Sequence, residues 1–281
     1  MKKTISIIIA IILLGVIGYG IYNIVTIHKG KVQEQDVYDD IDNLINQGIT
    51  PTPYIVWGTE ITPTPQPTIP PMVSKDDIDD IQDGNYLEQK MTKESFRNVK
   101  SINSDVIGYL WFDTGLIREP IVQAKDNDYY LRRNIYKQYH TRGTVFMNYV
   151  NKLDDDNLTI YGHNNRNNYT VKFAPLNDVY LSDEVYKRNA LFSIYFENEV
   201  RDYVICYAYI NNDFAKLNHQ TRNFDNDQFD EFVRLTKQIN KLDSITDIEY
   251  GDKIVTLQTC YRGNRNQRLI IVAKEISRHD Y

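Results

Sequence analysis

The sequence predicts a mainly β fold: a closed, antiparallel-rich barrel of about eight strands. Two observations lead there. From residue 107 onward, short runs rich in Val, Ile, Tyr and Phe recur between clusters of Asn, Asp, Gly and Ser. Helical periodicity does not alternate with these runs, as a Rossmann-like sheet requires; its clearest segments precede the first strand and the last strand pair.

Composition sets the outer bounds. A chain of 281 residues has room for one sizeable core plus appendages. A formal net charge of −6 argues against a nucleic-acid partner. Two cysteines, Cys206 and Cys260, make neither a disulfide framework nor a zinc cluster, and both are expected free. No cofactor and no metal is expected.

In chain order, the first element is an uncharged, Ile-rich run at residues 5–27, behind Lys2 and Lys3. About twenty such residues span a bilayer core. A cleaved signal peptide has a shorter apolar region and a small-x-small site, which is not evident here. Residues 1–28 are therefore expected to be an uncleaved membrane anchor with a cytoplasmic N-terminus, although His28, Lys29 and Lys31 weaken the charge asymmetry. Residues 29–85 lack a sustained apolar period, and the prolines at 50–53 and 62–71 break helix and central strand alike. This stretch predicts an extended or disordered stalk, with the acidic residues at 76–83 as solvated linker.

The folded domain is expected over residues 86–281. Leu87, Met91, Val99 and Ile102 share a helical face with Phe96 at its edge, which predicts an amphipathic helix at its start. Residues 107–112, 116–123, 143–150, 158–161, 191–197 and 203–210 read as strands. The cluster Asp154-Asp-Asp-Asn157 reads as a solvated hairpin tip rather than a calcium site, since three adjacent carboxylates cannot all converge on one ion. A short helix is expected near 171–179. A long one is expected over 227–241, with Phe229, Phe232, Val233 and Ile239 on one face. Cys206, inside a β pattern, reads as packing, and most of the 22 tyrosines as barrel core.

The chemistry concentrates near the end. Lys253-Ile-Val-Thr-Leu-Gln-Thr-Cys260 and Arg268-Leu-Ile-Ile-Val-Ala-Lys-Glu-Ile276 are apolar, β-branched runs around a short polar loop. A strand ending on Cys260 and another beginning at Arg268 would bring thiol and guanidinium together, an arrangement suited to acyl transfer. His163, in Leu158-Thr-Ile-Tyr-Gly-His-Asn164, also follows an apolar strand. Alone, an unpaired cysteine is more often a small buried hydrophobe, and a lone histidine a loop cap. The three together favour catalysis. Arg262 and Arg265 lie in the same loop and read as solvated.

Thr256-Leu257-Gln258-Thr259-Cys260 resembles the Thr-Leu-x-Thr-Cys signature of the sortases, with His163 in a matching Tyr-Gly-His context and Arg268 starting the next strand. The resemblance covers about the last two thirds of the chain. The segments Asn103-Ser-Asp-Val-Ile-Gly-Tyr-Leu110, Pro120-Ile-Val-Gln123 and Asp126-Asn-Asp-Tyr-Tyr-Leu131, with the long helix before the last strand pair, make it closest to class B. These opening segments are expected to build a wall of the barrel and to do no chemistry.

The resemblance implies a sortase-like eight-stranded barrel and a cysteine transpeptidase. Cys260 would be the nucleophile, His163 the general acid and base, and Arg268 the stabiliser of oxyanion or substrate. Partners would be proteins bearing a sorting signal and an amine of the peptidoglycan precursor, on a Gram-positive surface. The catalytic domain would be extracellular. Some class B members carry an acidic residue two places after the cysteine, where this chain has Arg262. Three alternatives stay open: a Cys/His peptidase releasing product to water, a pilin-polymerising sortase, and a non-catalytic surface binding domain. No segment matches the lid signature of the pilin type, which favours anchoring.

Overall fold

A computed structural model describes residues 12, 15–20, 35–46, 69–164, 172–212, 219–262 and 264–281. The chain divides into two compact units, Met1–Leu44 and Ile45–Tyr281. In the first, residues 15–20 and 35–44 are helical. Most of the apolar run at 5–27, and the proline-rich stretches at 50–53 and 62–68, lie outside the described residues. Among the described residues no helix is long and apolar enough to cross a membrane.

In the second unit, eight strands close into a barrel among the described residues. They are β1 (Val106–Trp111), β2 (Arg118–Val122), β3 (Val145–Met147), β4 (Asn157–Tyr161), β5 (Leu191–Phe196), β6 (Val200–Asn211), β7 (Ile254–Tyr261) and β8 (Asn264–His279). The order around the barrel is β1-β2-β3-β4-β7-β8-β6-β5. Two pairs are parallel, β2 with β3 and β4 with β7; the rest are antiparallel. The expectation of a closed, antiparallel-rich β-barrel is met. Closure leaves no unpaired sheet edge.

Among the described residues, the second unit also has the helices α1 (Lys75–Gln82), α2 (Lys93–Ile102), α3 (Leu176–Leu181), α4 (Asp183–Arg188) and α5 (Asn226–Ile239). The long helix α5 begins with a capping box between Asp225 and Gln228 and buries Phe229, Phe232 and Thr236. It packs on β6, which is buried along nearly its whole length. Seven of the 22 tyrosines, 109, 130, 186, 195, 203, 207 and 209, are almost completely buried, while twelve others among the described residues are half-buried or exposed, so the expectation that most tyrosines are barrel core is not met. Cys206 is fully buried, and burial pushes its thiol up to about 12.

Several elements depart from the sequence expectation. The helix expected from residue 86 begins at Lys93, because Thr92 caps it by accepting from the Ser95 N–H; Leu87 and Met91 precede it. Before that, α1 occupies the stretch read as solvated linker. Ser74 and Asp77 form its capping box, and Ile78 and Ile81 join the barrel core. Two apolar residues three apart in an acidic segment give too weak a period to stand out. The short helix lies at 176–181 rather than 171–179, with α4 directly after it. Ile239 is 43% exposed rather than part of the buried face of α5. Asp155 is no solvated tip: it is buried and paired with Arg222 at 2.7 Å. Burial alone would raise its pKa, but hydrogen bonds from Arg222, the Lys152 N–H and Asn151 pull it down to about 2. Its neighbour Asp156 pairs with Lys253.

Candidate active site

The end of the barrel where β4 and β7 stop carries the site. These strands run parallel, with Tyr161 beside Gln258 as the last paired residues. The Gly162 N–H continues the ladder by donating to the Gln258 carbonyl at 3.1 Å. Thr259 Oγ1 then donates to the Gly162 carbonyl at 2.7 Å. His163 and Cys260 are thus each two residues beyond the same pair, side by side on adjacent chains.

Gly162 is required there sterically. A Cβ on it would meet the Phe173 ring at 2.4 Å. The Phe173 N–H also donates to the His163 carbonyl at 3.1 Å. The Tyr-Gly-His sequence is therefore a strand end pressed against an aromatic wall, which fixes where the histidine leaves the sheet.

Arg268 comes from the other side of Cys260. The two are Cα partners in the antiparallel β7–β8 ladder, and directly opposed residues project to the same face about 4.5–5.5 Å apart. The strands extend further than the sequence suggested: β7 runs to Tyr261 and β8 starts at Asn264, so the pair lies within the ladder instead of at its ends. A register shift follows at Cys260/Tyr261, and Arg262 turns the chain with φ of 47°. Its side chain is exposed and does not line the cleft described next.

Cys260, His163 and Arg268 line one cleft of about 300 Å³, with Gln258, Thr259, Tyr161, Gly162 and Phe146 from the barrel end. Asn127, Asp128, Leu131 and Gln220 complete it. All three residues singled out from the sequence are brought together. Cys260 is partly exposed and free, as access to a substrate requires.

One wall comes from residues 126–132, read from the sequence as barrel wall only. Asp126 Oδ1 accepts from the N–H groups of Asp128 and Tyr129, an Asx turn that starts the 3-10 turn Tyr129–Arg132. That turn aims the Leu131 carbonyl at His163, whose Nε2 lies 2.8 Å away. A carbonyl only accepts, so Nε2 carries the proton and the neutral ring keeps its lone pair on Nδ1. Burial holds the His163 pKa below its ordinary value; the Leu131 carbonyl opposes this, while Arg132, Lys172 and His140 reinforce it. Sequence reasoning missed this carbonyl because a backbone acceptor has no side-chain signature; the Asx turn was the available sign.

Gln258 is fixed from below. Its Oε1 lies 2.9 Å from Nε2 of the buried His219 and 3.4 Å from Gln220 Nε2. Among the described residues no cluster of His, Cys, Asp and Glu is arranged to hold a metal.

One mouth of a closed β-barrel thus brings together a Cys/Arg strand pair and a neighbouring histidine. The Sortase domain matches residues 117–276, more than half of the chain, and the protein belongs to the sortase family. Within the family it is of the class B type. Sortase B of Staphylococcus aureus is 28% identical over 193 residues, covering 67% of this chain and 77% of that protein. The X-ray structure of Clostridium perfringens sortase B is 29% identical, with a TM-score of 0.56 over 64% of this chain and 99% of that one. A Staphylococcus aureus sortase B–substrate complex shares the fold, with a TM-score of 0.58 and 21% identity over 72% of this chain and 92% of that one.

Proposed function

We propose that this sortase is a cysteine transpeptidase that cleaves a sorting-signal peptide through a thioester on Cys260 and passes the acyl group to an amine of the cell-wall precursor. The observation that carries the reading is the convergence of Cys260 from β7, Arg268 from β8 and His163 from just beyond β4 on one cleft.

In the first half-reaction His163 takes the Cys260 thiol proton on Nδ1, and the thiolate so formed attacks the scissile carbonyl carbon. Arg268, fixed opposite Cys260 in the ladder, holds the oxyanion with a charged fork. His163 gives a proton to the departing amine as the C–N bond breaks, leaving the thioester. In the second half the acceptor amine attacks the thioester, His163 takes its proton, and the Cys260 thiolate leaves as the new amide forms. The thioester keeps the acyl group activated, so ATP has no part in the scheme.

The substrate class follows from family membership and from the cleft. Its 300 Å³ suits a short extended peptide segment, and the Staphylococcus aureus homologue has been captured with a substrate. The Ile-rich run at residues 5–27 is proposed as a single-pass anchor that holds the catalytic unit outside the membrane, on the strength of its length and apolar composition.

The test is incubation of the protein with sorting-like peptides, with and without an amine, followed by mass spectrometry of protein and products. A Cys260-linked acyl group that moves to the amine supports transpeptidation. Release only as free acid despite abundant amine points to a peptidase; no adduct, with Cys260→Ala behaving like wild type, removes the catalytic reading.

A further inference from the structure

Next to the site lies a buried ion pair that the scheme above does not use. Lys172 is 8% exposed and Glu119 3% exposed, and Lys172 Nζ lies 3.1 Å from Glu119 Oε2. Taking both charges out of water is costly, so a neutral pair of similar volume would serve packing as well or better. Lys172 also has φ of 53°, a left-handed conformation that a non-glycine residue adopts at a cost and keeps only where its surroundings enforce it. Two unfavourable features on one residue point to a role other than stability.

Placement indicates that role. Lys172 immediately precedes Phe173, which donates its N–H to the His163 carbonyl and occupies the space over Gly162. Glu119 sits in β2, paired with Leu110 of β1, so it is fixed to the rigid barrel. The ion pair thereby ties the residue that grips His163 to a strand that carries none of the three site residues. The charged and titratable groups around the imidazole are Arg132 on the 3-10 turn, His140 on the loop after it and Lys172. Asp128, Cys260 and Arg268 line the same cleft.

We propose that Lys172 is a positioning residue for His163: held by Glu119, it locks Phe173 against the Gly162–His163 backbone and puts a buried positive charge on the residue next to that contact, with Glu119 offsetting that charge. The catalytic consequence rests on the acid–base role proposed for His163; the electrostatic one does not. Depression of the His163 pKa by Lys172 accords with this arrangement.

The experiment is an NMR titration of the full chain with labelled histidine, the His163 signal being assigned by its loss in His163→Ala. Lys172→Met removes the cation and is expected to raise the His163 midpoint. Glu119→Gln removes the carboxylate that offsets the cation and is expected to lower it. Shifts of about half a pH unit or more are expected for a unit charge at an effective dielectric near 20. Lys172→Arg, which keeps the charge, is expected to hold the midpoint. If Lys172→Met does not fold because the buried carboxylate loses its cation, Lys172→Met/Glu119→Gln is compared with Glu119→Gln, and its midpoint is expected to be the higher. Shifts in the same direction in both single variants, or none in either, would overturn the inference and leave the pair as packing. The acid limb of Cys260 acylation is expected to follow the midpoint. Absence of acylation in wild type with the opposed shifts intact would refute the transpeptidase reading and leave the ion-pair inference standing.

Discussion

Cys260 and Arg268 face each other across the β7–β8 ladder as Cα partners, so thiol and guanidinium share one face whatever the conformation of the turn between them. The relationship belongs to the sheet register, which is fixed by the long β7–β8 ladder running from Ile254/Lys274 to Cys260/Arg268. It makes Arg268 a fixed member of the site rather than a mobile loop cation.

Replacing Arg268 therefore tests geometry as well as charge. Arg268→Ala is expected to slow thioester formation on Cys260 by about 10²–10³-fold, the size seen when an oxyanion donor is lost. Arg268→Lys is expected to recover only part of that loss, since an ammonium lacks the planar fork. Single-turnover acylation followed by mass spectrometry reads both. Equal rates for Arg268→Ala and wild type would remove Arg268 from the mechanism.

The two thiols should react very differently. Cys260 is partly exposed in the cleft, whereas Cys206 is fully buried with its pKa raised to about 12. Brief iodoacetamide treatment of the folded protein is expected to modify Cys260 alone, with Cys206 labelled only after denaturation. Peptide mapping by mass spectrometry gives the answer, and labelling of Cys206 at a comparable rate would contradict the burial.

Gly162→Ala is expected to destabilise the fold by about 1–3 kcal/mol, the usual cost of overpacking, because its Cβ would enter the Phe173 ring at 2.4 Å. Acylation should fall as well, since His163 is the next residue. Phe173→Ala removes the Cγ and Cδ atoms that the new Cβ would meet, so the double variant is expected to lose less stability than the sum of the two single losses. Additive losses would place the strain elsewhere.

Acid stability should depend on Asp155, whose pKa is lowered to about 2 in the folded state. A depressed carboxylate contributes stability that is fully present above its unfolded value near 3.8 and is lost as pH falls through about 2. Asp155→Asn is expected to lower stability at neutral pH and to flatten the decline between about pH 4 and 2. Denaturant titrations at several pH values measure this. An unchanged slope in that window would mean that the Arg222 pair is not maintained in solution.

Much of the fold was legible because it is written in local periodicity. The β-branched runs 254–260 and 268–276 and the amphipathic face of α5 carry their own signal. The residues Cys260, His163 and Arg268 were legible because their neighbours match a family signature. Helix α1 was not, since two isoleucines among aspartates become core only when a barrel stands beside them. The start of α2 was missed because the apolar stripe runs past the Thr92 cap, and the cap, not the stripe, ends the helix.

The sequence by itself determined most of the strands and singled out the three side chains that meet at the cleft, because each depends on residue type and short-range spacing. Only the tertiary structure decided that Leu131 offers His163 a carbonyl and that β4 lies parallel to β7. It alone also decided that Lys172 meets Glu119 across 53 residues of chain. Those relations join backbone groups or distant segments whose partners are chosen by barrel closure. Nothing in the local pattern of either segment specifies the other.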